Sequence, residues 1–412
     1  MQQNPAEPFD LVLRGGRVID PAQDLNAVRD VGIRHGRITA VAPELDAAGC
    51  PDIREAAGTY ICPGLIDLHG HWYEGGLYGI RADIGLNHGV TTAVDAGSTG
   101  FANFPEFRRT AMAASRTHLL AFVHVSFLGL HAPFAEELLE LRYARPIETA
   151  AVIEAHPGAA VGVKVRIGAM TGDHGNTAFD LAREAADSAR VPLMVHISAG
   201  ADERYILDHL RPGDILTHCF HGRGNGMLAQ RGGGFIAEVQ RARERGVIFD
   251  IGHGCGSFSW ETAQRAFEHY FWPDTISTDL HRYSVDEPWC VTLPNVISKF
   301  LCLGMTLSDA IAKTTSAPAG VLQMAGEIGS LRAGSVADLL QFRVREGDFA
   351  FTDADLKVRR GDRLIEPLLT VRGGVAYRSG EVRVSLRQRY ACDEVVFGAT
   401  RRRADEDTPP QD

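Results

Sequence analysis

Leu65-Ile66-Asp67-Leu68-His69-Gly70-His71 is a mostly apolar run that gathers its histidines at the C-terminal end. Four runs further along behave in the same way. Val161-Gly162-Val163-Lys164-Val165-Arg166 carries its charges late, Leu193-Met194-Val195-His196 and Ile215-Leu216-Thr217-His218 end on histidine, and Ile276-Ser277-Thr278-Asp279 ends on aspartate. A strand covered on both faces reads as a continuous apolar run, the mark of a parallel sheet. In a closed barrel of such strands the reactive side chains collect at the C-terminal ends.

The full set of strand candidates is 65–71, 91–98, 119–127, 160–167, 192–198, 215–220, 247–253 and 275–280, with amphipathic helix patterns at 176–190, 228–245 and 260–271 among them. Eight alternations in roughly 270 residues fit an α/β (β/α)8 TIM-like barrel better than an open doubly wound sheet. The barrel is expected over 63–333. Its flanks have another texture. Residues 9–20 form two short apolar runs about Gly15-Gly16, and 31–41 repeat the pattern about Gly36, so both read as hairpins. The same texture returns in 337–342 and 368–377. Residues 1–62 and 334–400 are therefore expected to join as one small β-sandwich domain into which the barrel is inserted. The charged, proline-containing tail 401–412 is expected to be disordered.

Composition narrows the function. The chain has 412 residues, 45% apolar and 23% charged, with a formal net charge of −10. These are values of an ordinary globular protein and give no electrostatic reason to expect nucleic acid or an anionic membrane as partner. No apolar stretch reaches the length of a membrane span, and the opening MQQNPAEPFD lacks the basic start and apolar core of a signal peptide. Cys50, Cys62, Cys219, Cys255, Cys290, Cys302 and Cys392 are scattered, odd in number and without a CxxC pair, which suits a reducing cytoplasm. The glycine-rich stretch 222–234 lacks the lysine of a phosphate loop and is expected to be a mobile loop.

His69 and His71, two apart on a strand, share a face and can share a metal ion. With 16 histidines in the chain such a pair carries little weight alone, and His209, His221, His269 and His281 read as ordinary histidines. The weight comes from the joint placement of His69, His71, Lys164, His196, His218 and Asp279 at five strand ends. Lys164 is one of only four lysines against 42 basic residues in all. An ammonium flanked by Val163 and Val165 is costly to bury unless it is paired or neutral. A neutral amine reacts with carbon dioxide, and the carbamate is a two-oxygen anion able to bridge two cations. The alternative is an ion pair with Asp95, or a side chain turned to the helix layer; the histidines favour the bridge.

With these residues in view, the chain resembles the amidohydrolase superfamily, its binuclear dihydroorotase-like members, and among them the deacetylase-like metallohydrolases. The resemblance runs from Gly64–His71 to Gly329-Ser330-Leu331-Arg332-Ala333-Gly334-Ser335-Val336-Ala337-Asp338, similar to the family's return into its small β domain. It implies two divalent cations, zinc foremost, with Lys164 as the N6-carboxylated bridge. His69, His71 and Asp279 would hold the more buried ion, His196 and His218 the more exposed one. A bridging hydroxide would attack the substrate carbonyl, with Asp279 as general base and proton carrier.

Departures from the family patterns narrow the substrate. Trp72-Tyr73-Glu74 stands where dihydroorotases place an arginine, and it resembles the deacetylase-like group, as does Asp250-Ile251-Gly252-His253-Gly254-Cys255. The expected substrate is a small N-acetyl or O-acetyl carboxylic acid. Arg166, on the strand face of Lys164, is either its carboxylate partner or a salt bridge at the barrel rim. His253 either touches the substrate or is structural, and His281 and Tyr283 are placed as pocket-lining residues. A cyclic-amide hydrolase of the dihydropyrimidinase, hydantoinase or dihydroorotase kind is the rival reading. A mononuclear deaminase has no use for a bridging lysine, and a catalytically inactive assembly protein has no use for six ligands. Partners are limited to the small acylated substrate and, by family analogy, a second copy in a homo-oligomer.

Overall fold

The computed structural model describes residues 7–382 apart from 75, 77, 132–136, 223, 229–233 and 286–290. The expected tail 401–412, residues 383–400 and part of the glycine-rich stretch lie outside the described residues.

Seven strands form one parallel sheet in chain order: Leu65–Gly70, Val90–Gly100, His118–His124, Ala160–Ile167, Leu193–Ile197, Ile215–Thr217 and Ile248–Phe249. Residues 275–280 complete the ring. They bridge in parallel from Asp250 to Thr275 on one side and from Gly70 to Leu280 on the other. The His71 amide donates to the Leu280 carbonyl at 2.9 Å. The expected eighth strand is therefore present in position but not in regular form. Asp279 has a φ of 49°, outside extended conformation, and the Thr278 amide donates to the Asp67 carboxylate rather than to a ladder partner. The sixth strand stops at Thr217 for the same reason, since His218 has a φ of 67°, and Gly252 at 48° cuts short the seventh.

Helices pack outside the sheet at Pro146–Ala155, Gly175–Ala189, Glu203–His209, Ala237–Arg245, Trp260–Glu268 and Leu293–Cys302. The helix expected over 228–245 begins only at Ala237, and that expected over 260–271 ends at Glu268. Leu68, Val94, Ala96, Leu120, Phe122, Met194 and Ile215 make one buried cluster, with Val161, Val321, Leu322 and Met324 against it. Each fully buried side chain of this kind contributes about 1.5–3 kcal/mol. Phe122 precedes His124 by two residues, and Met194 likewise precedes His196. The cluster therefore fills the barrel below, and polar side chains take over at the C-terminal ends.

The two chain ends share a second, eight-stranded sheet. Its order is Val375–Arg378, Val358–Arg372, Leu339–Thr352, Tyr60–Pro63, Leu11–Asp20, Leu25–Arg34, Arg37–Ala42, with Asp52–Glu55 added to Leu11–Asp20. The antiparallel pairing of Leu340 with Cys62 and Gln341 with Ile61 ties the late strands to the early ones. Leu13, Val31, Ile33, Ile61, Leu339 and Val371 pack in its common core. The hairpin at His35-Gly36 is present, both residues having positive φ as a two-residue turn requires. The expected hairpin at Gly15-Gly16 is instead a bulge inside the single strand Leu11–Asp20, whose register shifts between Leu13 and Gly16. Among the described residues no helix is long and apolar enough to cross a membrane.

Candidate metal centre

Strand one and the irregular eighth position bring together His69, His71 and Asp279, whose ligand atoms all lie within 4.8 Å of one another. Oδ1 of Asp279 stands 3.1 Å from Nε2 of His71 and 3.4 Å from Nε2 of His69. That oxygen is buried and has no hydrogen-bond partner, a costly condition unless something else occupies it. The carboxylate is held in place by its backbone. The Asp279 amide donates to the His69 carbonyl at 2.6 Å, and Thr278 is pinned by its hydroxyl and amide to Asp67.

The remote nitrogens of His69, His71 and His218 are already engaged. His69 Nδ1 meets the Thr217 hydroxyl at 2.8 Å, His71 Nδ1 meets the Ser98 hydroxyl at 3.0 Å, and His218 Nδ1 donates to the Gly252 carbonyl at 2.7 Å. The last bond fixes the tautomer of His218, leaving its Nε2 as a lone pair, and that buried atom has no partner. Outer hydrogen bonds of this kind orient histidines for metal ligation. The His196 ring lies 4.2 Å from that of His218, and the His69 and His218 rings are 5.0 Å apart.

Lys164 projects into the same space. It is 1% exposed, in register with His124 on one side and Met194 on the other, with Nζ 3.4 Å from His69 Nε2. A β-carbon at Gly97 would fall 2.7 Å from its Cγ, so the bare glycine makes room for it. Burial pushes the Lys164 amine down to about 7. Burial, then Lys164 itself, drives His69 well below the usual imidazole range, and the Lys164 charge is also felt by His196 and His218. The imidazoles of His69, His196 and His218, held neutral by burial, together with the His71 ring, the Asp279 carboxylate and an amine lowered to about 7, make a donor set suited to divalent cations. The two orphaned ligand atoms, Asp279 Oδ1 and His218 Nε2, fit the same conclusion.

The remaining expected residues divide. Arg166 makes a salt bridge: Nη1 donates to Glu137 Oε1 at 2.8 Å, and the side chain stays 17% exposed beside the site. His253 is fully buried. Its Nδ1 donates to the Gly254 carbonyl and its Nε2 faces Lys299 Nζ at 2.9 Å, while Phe258 stacks on the ring. Both nitrogens are thus occupied and neither is available to a substrate. Tyr283 lies 6.2 Å from Tyr78 and 5.9 Å from His281, and Tyr78 lies 5.8 Å from His71, so an aromatic group flanks that ligand. Tyr78, Glu137, Ser98 and Thr217 escaped the sequence reading. Tyr78 and Glu137 lie in loops, and Ser98 and Thr217 are polar residues of buried strands whose partners the sequence does not show.

Comparison with known proteins agrees with this geometry. Residues 60–361 match the Amidohydrolase family. A deacetylase of Brucella anthropi is 36% identical over 353 residues, covering 83% of this chain and 86% of its own. A deacetylase of Enterococcus faecalis is 32% identical over 374 residues, covering 90% and 99%. The crystal structure of an adenine deaminase aligns with a TM-score of 0.83 at 31% identity over 90% of this chain and 100% of that one. A dihydroorotase structure aligns with a TM-score of 0.81 at 32% identity, over 89% and 98%. The chain belongs to the amidohydrolase family and is a hydrolase acting on C–N bonds.

Proposed function

We propose that this hydrolase removes an acyl group, acetyl foremost, from the nitrogen or oxygen of a small carboxylic acid, with two divalent cations, zinc first among them. The observation that carries the reading is the setting of Arg166. A partly exposed arginine side chain stands two residues from Lys164 on the same strand, its charge felt by His69, a member of the His69, His71 and Asp279 cluster. The deacetylase names of the relatives support it.

Lys164, His69, His71, His196, His218 and Asp279 would hold the cations. When bound there, the cations supply a water acidic enough to ionise near neutral pH and an electrophile for the substrate carbonyl. The Lys164 amine would add to carbon dioxide with loss of a proton, and the resulting carbamate anion would help to hold the cations. The Asp279 carboxylate would accept the proton of the attacking water and pass it to the departing nitrogen or oxygen. Arg166 holds the substrate carboxylate with the N–H groups that Glu137 does not use. Tyr78, His281 and Tyr283 wall the site beside His71.

Metal content by plasma mass spectrometry tests this on wild type and Lys164→Ala, both loaded with zinc and bicarbonate. About two zinc ions in the first and a clear loss in the second support the bridged centre; one in both removes the bridge. Hydrolysis of paired N-acetyl and O-acetyl acids, run beside ring opening of dihydrouracil and hydantoin, then decides the substrate. Ring opening as the dominant activity would replace the deacylase reading with the cyclic-amide one.

A further inference from the structure

Asp250, at the C-terminal end of strand seven, is 0% exposed and receives three hydroxyl groups. Thr217 Oγ1 donates to Oδ2 at 2.8 Å, Ser277 Oγ to the same oxygen at 2.7 Å, and Thr275 Oγ1 to Oδ1 at 2.7 Å. A hydroxyl has one proton. Once it is given to Asp250, the oxygen can only accept from any other neighbour, and two of the three do so in the direction of the metal centre.

The first arm is short. Thr217 Oγ1 accepts from His69 Nδ1 at 2.8 Å, which leaves the His69 Nε2 lone pair facing Asp279 and Lys164. The second arm is longer. Ser277 Oγ accepts the Gly252 amide at 3.0 Å, and the Gly252 carbonyl accepts His218 Nδ1 at 2.7 Å. Gly252 has a φ of +48°, and a β-carbon there would stand 2.5 Å from Thr217 Oγ1 and 2.8 Å from His218 Nδ1. Both arms therefore pass through one tightly filled spot. The third hydroxyl, on Thr275, leads to neither histidine and pins only the neighbouring strand position.

We infer that Asp250 is the positioning residue for one ligand in each half of the centre: through Thr217 it sets the tautomer and orientation of His69, and through Ser277 and Gly252 it holds the orientation of His218, whose tautomer the Gly252 carbonyl fixes. One buried carboxylate prepares a ligand for each of the two cations. The inference rests on the two-cation reading above and adds to it the source of order for both halves. A neutral amide in place of Asp250 can present an N–H where a lone pair is needed, turning the Thr217 hydroxyl round and reversing the polarity of the His69 arm, while on the other side it loosens the Ser277 hydroxyl that seats Gly252.

Zinc dissociation constants, measured on zinc-loaded protein by competition with a chromophoric chelator, provide the test. Asp250→Asn is expected to weaken both zinc ions by about 10- to 100-fold. Thr217→Val and Ser277→Ala are each expected to weaken one ion and spare the other. Thr275→Val, which removes an equally buried hydrogen bond to the same carboxylate, is expected to lower the melting temperature of the metal-free protein and leave both zinc constants unchanged. Should Asp250→Asn not fold, the two single-arm variants carry the test. Wild-type zinc constants in Asp250→Asn, or equal weakening by Thr275→Val and Thr217→Val, would overturn the inference while the two-cation reading stands. A wild type that holds only one zinc ion overturns that reading, and the claim on two halves with it.

Discussion

No β-carbon fits at Gly254, because one placed there would collide with the Oδ2 atom of Asp279. The backbone at Gly254 also has a φ of +49°, which costs an L-residue about 1–2 kcal/mol. The Gly254 amide donates to the Thr278 carbonyl at 2.8 Å, so the two segments are tied together and cannot separate to relieve the contact. Gly254→Ala is therefore expected to displace the Asp279 carboxylate and lower kcat about 100-fold with little change in KM. Steady-state kinetics on the acyl substrate, with circular dichroism to confirm the fold, will check this; unchanged kcat would mean that the position of Asp279 does not limit the reaction.

Asp279→Asn keeps the shape of the side chain and takes away the proton acceptor. The backbone bonds from the Asp279 amide to His69 and from Thr278 to Asp67 do not depend on that carboxylate, so the fold should persist. Loss of general-base function lowers kcat by about 10²- to 10⁴-fold, and single-turnover rates on metal-loaded protein measure it directly. A variant within tenfold of wild type would assign the proton transfer elsewhere.

Arg166 and Glu137 form a partly buried pair, 17% and 13% exposed, with 2.8 Å between Nη1 and Oε1. Burial pushes the Glu137 carboxyl up, but Arg166 and then His124 outweigh it and hold the group below the usual range, ionised at neutral pH. Arg166→Met is expected to raise KM about 100-fold for an acylated acid, the loss of one charge-assisted contact plus the unpaired Glu137 it leaves. The methyl ester of the same substrate should be nearly unaffected. Glu137→Gln, which loosens the guanidinium without removing it, should act in the same direction and by less. Equal effects on acid and ester would make the pair purely structural.

The candidate cation ligands were legible in the sequence because a buried strand has a strict grammar. Lys164 between Val163 and Val165, or His196 after Met194 and Val195, breaks an apolar run at the place where such a barrel opens. The residues that serve them follow no such grammar. Glu137 and Tyr78 come from loops, where no period marks a side chain as inward, and Ser98 and Thr217 are ordinary strand residues until their partners are known. The eighth strand read as regular because composition cannot show that Asp279 takes a left-handed φ. Gly15-Gly16 suits a turn or a bulge equally well. Only the pairing of Arg17 with both Val28 and Tyr60, long-range in sequence, makes it a bulge.

Lys164 also leaves a mark on stability that needs no substrate. In the folded, metal-free protein burial lowers its amine to about 7, against about 10.4 for an unfolded chain. Between these values the unfolded state holds a proton that the folded state lacks, so raising the pH through this window favours folding by about 1.4 kcal/mol per unit from this group. Below pH 7 both states are charged and the penalty of burying the ammonium is carried in full; above about 10.4 it is gone. Lys164→Met has no such slope. Urea unfolding of both proteins, stripped of metal and bicarbonate, at pH 7.5 and 9.5 should show wild type gaining about 2–3 kcal/mol relative to the variant. Parallel changes in the two proteins would mean that the lysine keeps its proton in the folded state, which would remove the neutral amine on which carbamate formation depends.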